Sequence, residues 1–228
     1  MKFSGLWLAS VGVLALAACA AQGGVFQYGT EGWAADYEVA PGGTLAVEVY
    51  LYETFDPAAE TAVLDDEEGL YSAGLKVERT SAASGEPAGV LSVLDIVHNL
   101  AFNESDAGVS PIKAVNLVGG LFDSATLLAS RDILATDGVS AEGPSAGVRR
   151  VLLGTFTFTG GSVLEKKTDF RIADNDPALD DTVTWALPGV ALDADILPFD
   201  FSITVVPEPA TCALLGLGLA SLLIRRKG

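Results

Sequence analysis

Thiols are almost missing from this 228-residue chain, and the two it has, Cys19 and Cys212, both sit in apolar terminal segments. The stretch between them has no means of forming a disulfide, so it must be held by its core or by bound metal. Histidine is equally scarce: His98 is the only one. That removes the usual His/Cys zinc sites and leaves one residue for any Ser-His-Asp chemistry. His98 lies between Val97 and Asn99 with no nucleophile motif beside it, and reads as a satisfied structural histidine rather than a base. Positive charge is short as well. Residues 22–205 hold nine Lys and Arg against 29 Asp and Glu, a net charge of −20. Phosphate binding depends on Lys and Arg, so nucleic acid is excluded as a partner. The acidity favours solubility and cations. With no assignable catalytic pair among so many carboxylates, the sequence points away from an enzyme.

Long apolar runs occur only at the two ends. Lys2 followed by Leu6 to Ala18 and the small residues Ala18-Cys19-Ala20 reads as a signal peptide over residues 1–21. Leu16-Ala17-Ala18-Cys19 also fits a lipobox, in which Cys19 would carry lipid; ordinary cleavage and lipidation both remain open. At the other end, Val206-Pro207-Glu208-Pro209 precedes an uncharged run from Ala210 to Ile224, and Arg225-Arg226-Lys227 follow. As a helix that run spans roughly 22 Å, short of a ~30 Å hydrocarbon core unless its basic flank snorkels. The basic cluster acts as the cytoplasmic stop, which places everything before Pro207 outside. The prolines block helix propagation and leave the motif extended.

Val206-Pro207-Glu208-Pro209-Ala210, the Leu/Gly/Ala-rich segment and Arg225-Arg226 together resemble the PEP-CTERM sorting tail. The resemblance covers about a tenth of the chain. It implies processing by an exosortase near Pro-Glu-Pro, transient residence in the inner membrane, and a Gram-negative-type envelope. It further implies a final place at the cell surface, in the outer membrane or in an extracellular, exopolysaccharide-rich biofilm matrix. It assigns no chemistry to the body.

The body, residues 22–205, reads as short strands. In Thr44 to Tyr52, Leu45, Val47, Val49 and Leu51 share one face, and a period of two marks a half-buried strand. Gly69 to Glu78, Asp169 to Ala173, Asp181 to Trp185 and Phe199 to Val206 follow suit. Arg150 to Thr159 places Val151, Leu153, Thr155 and Thr157 opposite Leu152, Phe156 and Phe158. Ala114 to Phe122 reads as a strand with a bulge or turn at Gly119-Gly120. Val90 to Ala101 and Ala125 to Leu134 read as short helices, since Leu91, Leu94 and Val97 make a helical stripe.

Strands separated by Gly, Pro, Asp and Asn turns predict a mainly β fold: a β-sandwich of jelly-roll form with one or two short helices, flanked by the signal peptide and a C-terminal apolar helix at 206–228. Leu45-Ala46-Val47-Glu48-Val49-Tyr50-Leu51, Gly69 to Val77 and Leu152 to Gly160 resemble strands of cohesin-like and related carbohydrate-binding sandwiches. That resemblance implies a binding or scaffolding module rather than an enzyme.

No cofactor is demanded by the sequence, and calcium is the one for which it supplies ligands. Asp174-Asn175-Asp176 and Asp180-Asp181 offer five oxygen-bearing side chains just after a predicted strand. The pattern is not an EF-hand loop. Asp65-Asp66-Glu67-Glu68 is a second acidic run, of the kind that usually just solvates. Two functions therefore stand side by side. One is a non-catalytic surface or matrix protein. The other is a carbohydrate-binding module, calcium-stabilised, gripping exopolysaccharide through Tyr50, Tyr52 and Phe55; the same rings also suit a second packed face.

Overall fold

The structure is a computed structural model, and it describes residues 24–66, 68–81, 90–102, 111–118, 121–131, 137–176, 180–185 and 189–207. The signal segment with Cys19, and the C-terminal segment from Glu208 with Pro209, Arg225, Arg226 and Lys227, lie outside them. Among the described residues no helix is long and apolar enough to cross a membrane.

Strands dominate. In chain order they are β1 (Val25–Thr30), β2 (Asp36–Val39), β3 (Thr44–Thr54), β4 (Leu70–Arg79), β5 (Val90–His98), β6 (Ile112–Val118) and β7 (Leu121–Ser130). There follow β8 (Glu142–Ser145), β9 (Val148–Gly160), β10 (Lys167–Asp174), β11 (Val183–Thr184), β12 (Ile196–Leu197) and β13 (Phe199–Val205). One four-residue helix, α1 (Val63–Asp66), and 3-10 turns at Glu31–Trp33 and Asp193–Asp195 complete the described elements.

The strands form two sheets. Sheet I runs β12-β1-β3-β9-β5, with β8 on β9; sheet II runs β2-β13-β10-β4-β7-β6, with β11 on β4. The sandwich is closed by rings from both sheets. Phe158 of sheet I meets Phe170 at 5.1 Å, Phe201 at 6.0 Å and Phe122 at 6.2 Å, centroid to centroid. Phe122, Phe158 and Phe170 are fully buried, and truncating any one to Ala costs about 3–5 kcal/mol. Val47, Val49 and Leu51 of β3, and Leu75 and Val77 of β4, fill the rest of the core.

The expected mainly β sandwich is therefore what forms, but several local readings are corrected. Val90 to His98 is a strand, not a helix, and pairs antiparallel with β9. Register shifts at Val90/Ser92 and Val93/Asp95 break its alternation, which imitates a helical stripe. Ala125 to Ser130 is likewise strand, part of β7 paired with β4 and β6. Its Ala- and Leu-rich composition favours helix in isolation, and tertiary pairing overrides that preference. Ala114 to Phe122 is two strands: Val118 pairs with Leu121 as the chain reverses. In β9 the faces differ from the expected alternation. A shift opposite Val49/Tyr50 inserts an extra residue, so Val151 and Leu153 point into the core together with Phe156 and Phe158. Asp181 to Trp185 shortens to the two residues of β11.

A candidate metal centre at one end of the sandwich

Asp174 is the last residue of β10, held opposite Leu75 of β4. Asp181 precedes β11, which also pairs with β4. Asp193 starts the 3-10 turn that leads into β12. These three segments converge so that carboxylate oxygens of Asp174, Asp181 and Asp193 lie within 4.8 Å of one another. Of the expected ligands, Asp174 and Asp181 are thus brought together. Asn175 reaches the group by donating from Nδ2 to Asp181 Oδ2 at 3.3 Å. Asp176 and Asp180 are not in it. Asp193 was missed, because it lies twelve residues beyond Asp181 in an unremarkable Ala-Leu-Asp-Ala-Asp stretch, and only the return of the chain brings it back.

Asp193 is the deepest of the three, 5% exposed. Its Oδ1 accepts from the backbone N–H of Thr182 at 2.9 Å and of Asp181 at 3.2 Å. Its Oδ2 is buried and makes no hydrogen bond, and neither does either oxygen of Asp174, although the Asn175 backbone N–H is close enough to ease that charge. The Asp181 carboxylate lies against the backbone of β4 at Gly74, where a Cβ would overlap it. Below this, the Tyr28 hydroxyl donates to Gly74 O at 2.9 Å, and Thr182 Oγ1 accepts from Gly74 N at 3.1 Å.

The electrostatics follow from three acids sharing little water. Burial and the Asp193 charge push the Asp174 carboxyl up to about 6. Burial and the hydrogen bond with Asp193 push Asp181 up to about 7, with Asp174 adding to the rise. The hydroxyl of Tyr28 is raised as well, first by burial. Such a group takes up either protons or a hard cation, and its all-oxygen donor set suits calcium or magnesium rather than zinc.

The remaining candidates are absorbed by the fold. Asp65 pairs with Arg149 on the surface instead of joining a second acidic site. Tyr50 and Tyr52 are 5% and 2% exposed and present no ring to a sugar. Tyr52 donates to Thr30 O at 2.8 Å and stacks on Trp33 at 4.0 Å, while the Arg150 guanidinium covers Tyr50 at 4.4 Å. These two rings therefore form the packed second face of β3. His98 differs from the satisfied histidine expected: its Nδ1 is buried without a partner, and burial lowers its basicity. Among the described residues no carboxylate bonds that nitrogen to orient the ring as a base would require.

Comparison with known proteins bears on both the tail and the body. Residues 205–227 match the PEP-CTERM protein-sorting motif. No curated protein matches the chain. Solved structures with a similar outline are cohesin modules, two of which are a solution structure of CaCohA2 from Clostridium acetobutylicum and a type III module from the ScaE cell-surface anchoring scaffoldin of Ruminococcus flavefaciens. The first has 14% identity, a TM-score of 0.48, and coverage of 80% of this chain and 91% of its own. The second has 9% identity, a TM-score of 0.43, and coverage of 82% and 91%. The chain carries a PEP-CTERM sorting motif, which marks it as an exported protein processed at the membrane by an exosortase.

Proposed function

We propose that the chain is a non-catalytic module displayed at the cell surface or in an exopolysaccharide matrix once its tail is removed. The observation that carries this reading is the junction between fold and motif. β13 lies between β2 and β10 and ends at Val205, where the sorting motif begins. Val206 still donates to Val39 O at 2.9 Å, and the next residue, Pro207, has no N–H to extend the ladder. The described strands all end by Val205, so cleavage near Pro209 would leave their pairing untouched.

Native envelope material tests the proposal by intact mass, fractionation and turnover assays. Expected are a mature species lacking the chain from about Pro209 onward, recovery with the surface or polysaccharide fraction, and no hydrolysis of matrix polysaccharides. A full-length species that keeps Arg226 and stays in the cytosol sinks the delivery half. Turnover of any matrix glycan sinks the non-catalytic half.

A further inference from the structure

We propose that Asp174, Asp181 and Asp193 bind one calcium ion, which ties sheet II to the segment that enters sheet I. Clustering alone is not the argument. Asp193 is 5% exposed, and after Oδ1 has accepted two backbone N–H groups, Oδ2 remains sealed inside with no donor. Asp174 adds two further sealed oxygens that make no hydrogen bond, with only the Asn175 backbone N–H near them. Nearby donors are committed: the Tyr28 hydroxyl goes to the Gly74 carbonyl, and Asn175 Nδ2 reaches only Asp181. A buried acceptor without a donor costs about 1–3 kcal/mol, more when charged, unless a cation takes the donor's place.

The geometry selects the ion. Three oxygens no more than 4.8 Å apart all lie within about 2.8 Å of a common point, so small side-chain shifts bring them to the ~2.3–2.6 Å of a calcium shell. Calcium accepts six to eight oxygens in irregular arrangements, whereas magnesium demands a near-ideal octahedron. Carboxylates drawn from a strand end, a loop and a 3-10 turn suit the more permissive ion, with water completing its shell. The ligand segments also define what the ion does. Asp174 and Asp181 flank β10 and β11 of sheet II, while Asp193 opens the turn into β12, which pairs parallel with β1 of sheet I. Calcium there cross-links the two sheets in a chain whose body has no disulfide.

The test uses the full chain in detergent, stripped with chelator and titrated with calcium chloride alone, read by calorimetry and by thermal unfolding. One calcium per chain and a raised midpoint are expected, with a smaller rise from magnesium at equal concentration. Asp174→Asn should weaken calcium binding at least tenfold yet raise the midpoint of the stripped protein, because it removes a charge that nothing offsets. A purely structural aspartate would give the opposite sign in the stripped state. Gly74→Ala, which changes no ligand but crowds Asp181, should also weaken binding, and it decides the matter if Asp174→Asn does not fold. No heat and no midpoint shift at millimolar calcium overturns the site. Wild-type affinity in both variants overturns the ligand assignment, and a larger response to magnesium overturns the choice of ion.

Discussion

Two buried acidic places in this molecule solve the same problem in different ways. Glu53, at 0% exposure near the end of β3, accepts from the backbone N–H of Val63 at 2.6 Å and of Leu64 at 2.9 Å. Those donors are first-turn groups of α1, which a helix cannot satisfy internally, so carboxylate and helix end complete each other. At the Asp174 end, the backbone N–H groups of Asp181 and Thr182 both fall on one oxygen of Asp193, and Asp174 has only the weak help of the Asn175 N–H. Burial raises the pKa of Glu53, and its two backbone bonds work against that rise. Asp174 and Asp181 are raised first by burial and next by the neighbouring Asp193. An acid whose oxygens are filled by the chain is part of the scaffold. An acid whose oxygens are not filled is a place for something to bind.

The comparison can be broken by experiment, and the largest expected effect is at the scaffold acid. Glu53→Ala strands two buried N–H groups and should cost about 4 kcal/mol, roughly 10 °C in midpoint, equally with calcium or chelator. A loss that depended on calcium would mean the two places are not separate. Next comes calcium itself. At a hundredfold excess over Kd it should add about 2.7 kcal/mol to the wild type, some 5–10 °C, and nothing to Asp193→Asn, as differential scanning calorimetry would show.

A third effect is in pH. Asp174 and Asp181 titrate near 6 and 7 when folded, against an ordinary 3.8, so the folded form holds protons that the unfolded form has released. Their contribution is therefore present in full below about pH 4 and is lost as pH rises to about 7, roughly 2 kcal/mol once discounted for partial exposure. Denaturant titrations in chelator should show that decline, and saturating calcium should abolish it. The smallest effect is the gain from Asp174→Asn in chelator at neutral pH, about 1 kcal/mol. A loss there instead would make Asp174 a scaffold acid like Glu53.

Much of the fold was legible because alternation survives where a strand has one buried face. β3, β4, β10 and β13 all show it, and all lie within a residue or two of where the pattern puts them. It fails where the ladder slips. β5 carries two register shifts, β9 one against β3, and the β6–β7 pair one at Asn116/Leu117. Each slip changes which residues share a face, and a period of two interrupted once looks like a period nearer three and a half. The site was half legible for a different reason. Asp174 and Asp181 are close in sequence and sit in an obvious acidic loop. Asp193 arrives through the loop between β11 and β12, and no local pattern announces that return. Asp176 and Asp180 share the loop's composition but are not among the carboxylates that converge. Tyr50 and Tyr52 looked available for a ligand, since nothing local foretold that Trp33 and Arg150 would cover them.

The seating of β13 sets how the molecule bears load. Any tug applied to the body through its C-terminal segment is transmitted through Val205 along the axis of a strand bonded to a neighbour on each side, parallel β2 and antiparallel β10. Traction in that direction strains the rungs of both ladders together, in shear, instead of unzipping them one by one from an edge. Load entering at Val205 is thus shared by two ladders, where a strand at a sheet edge would have one to resist it.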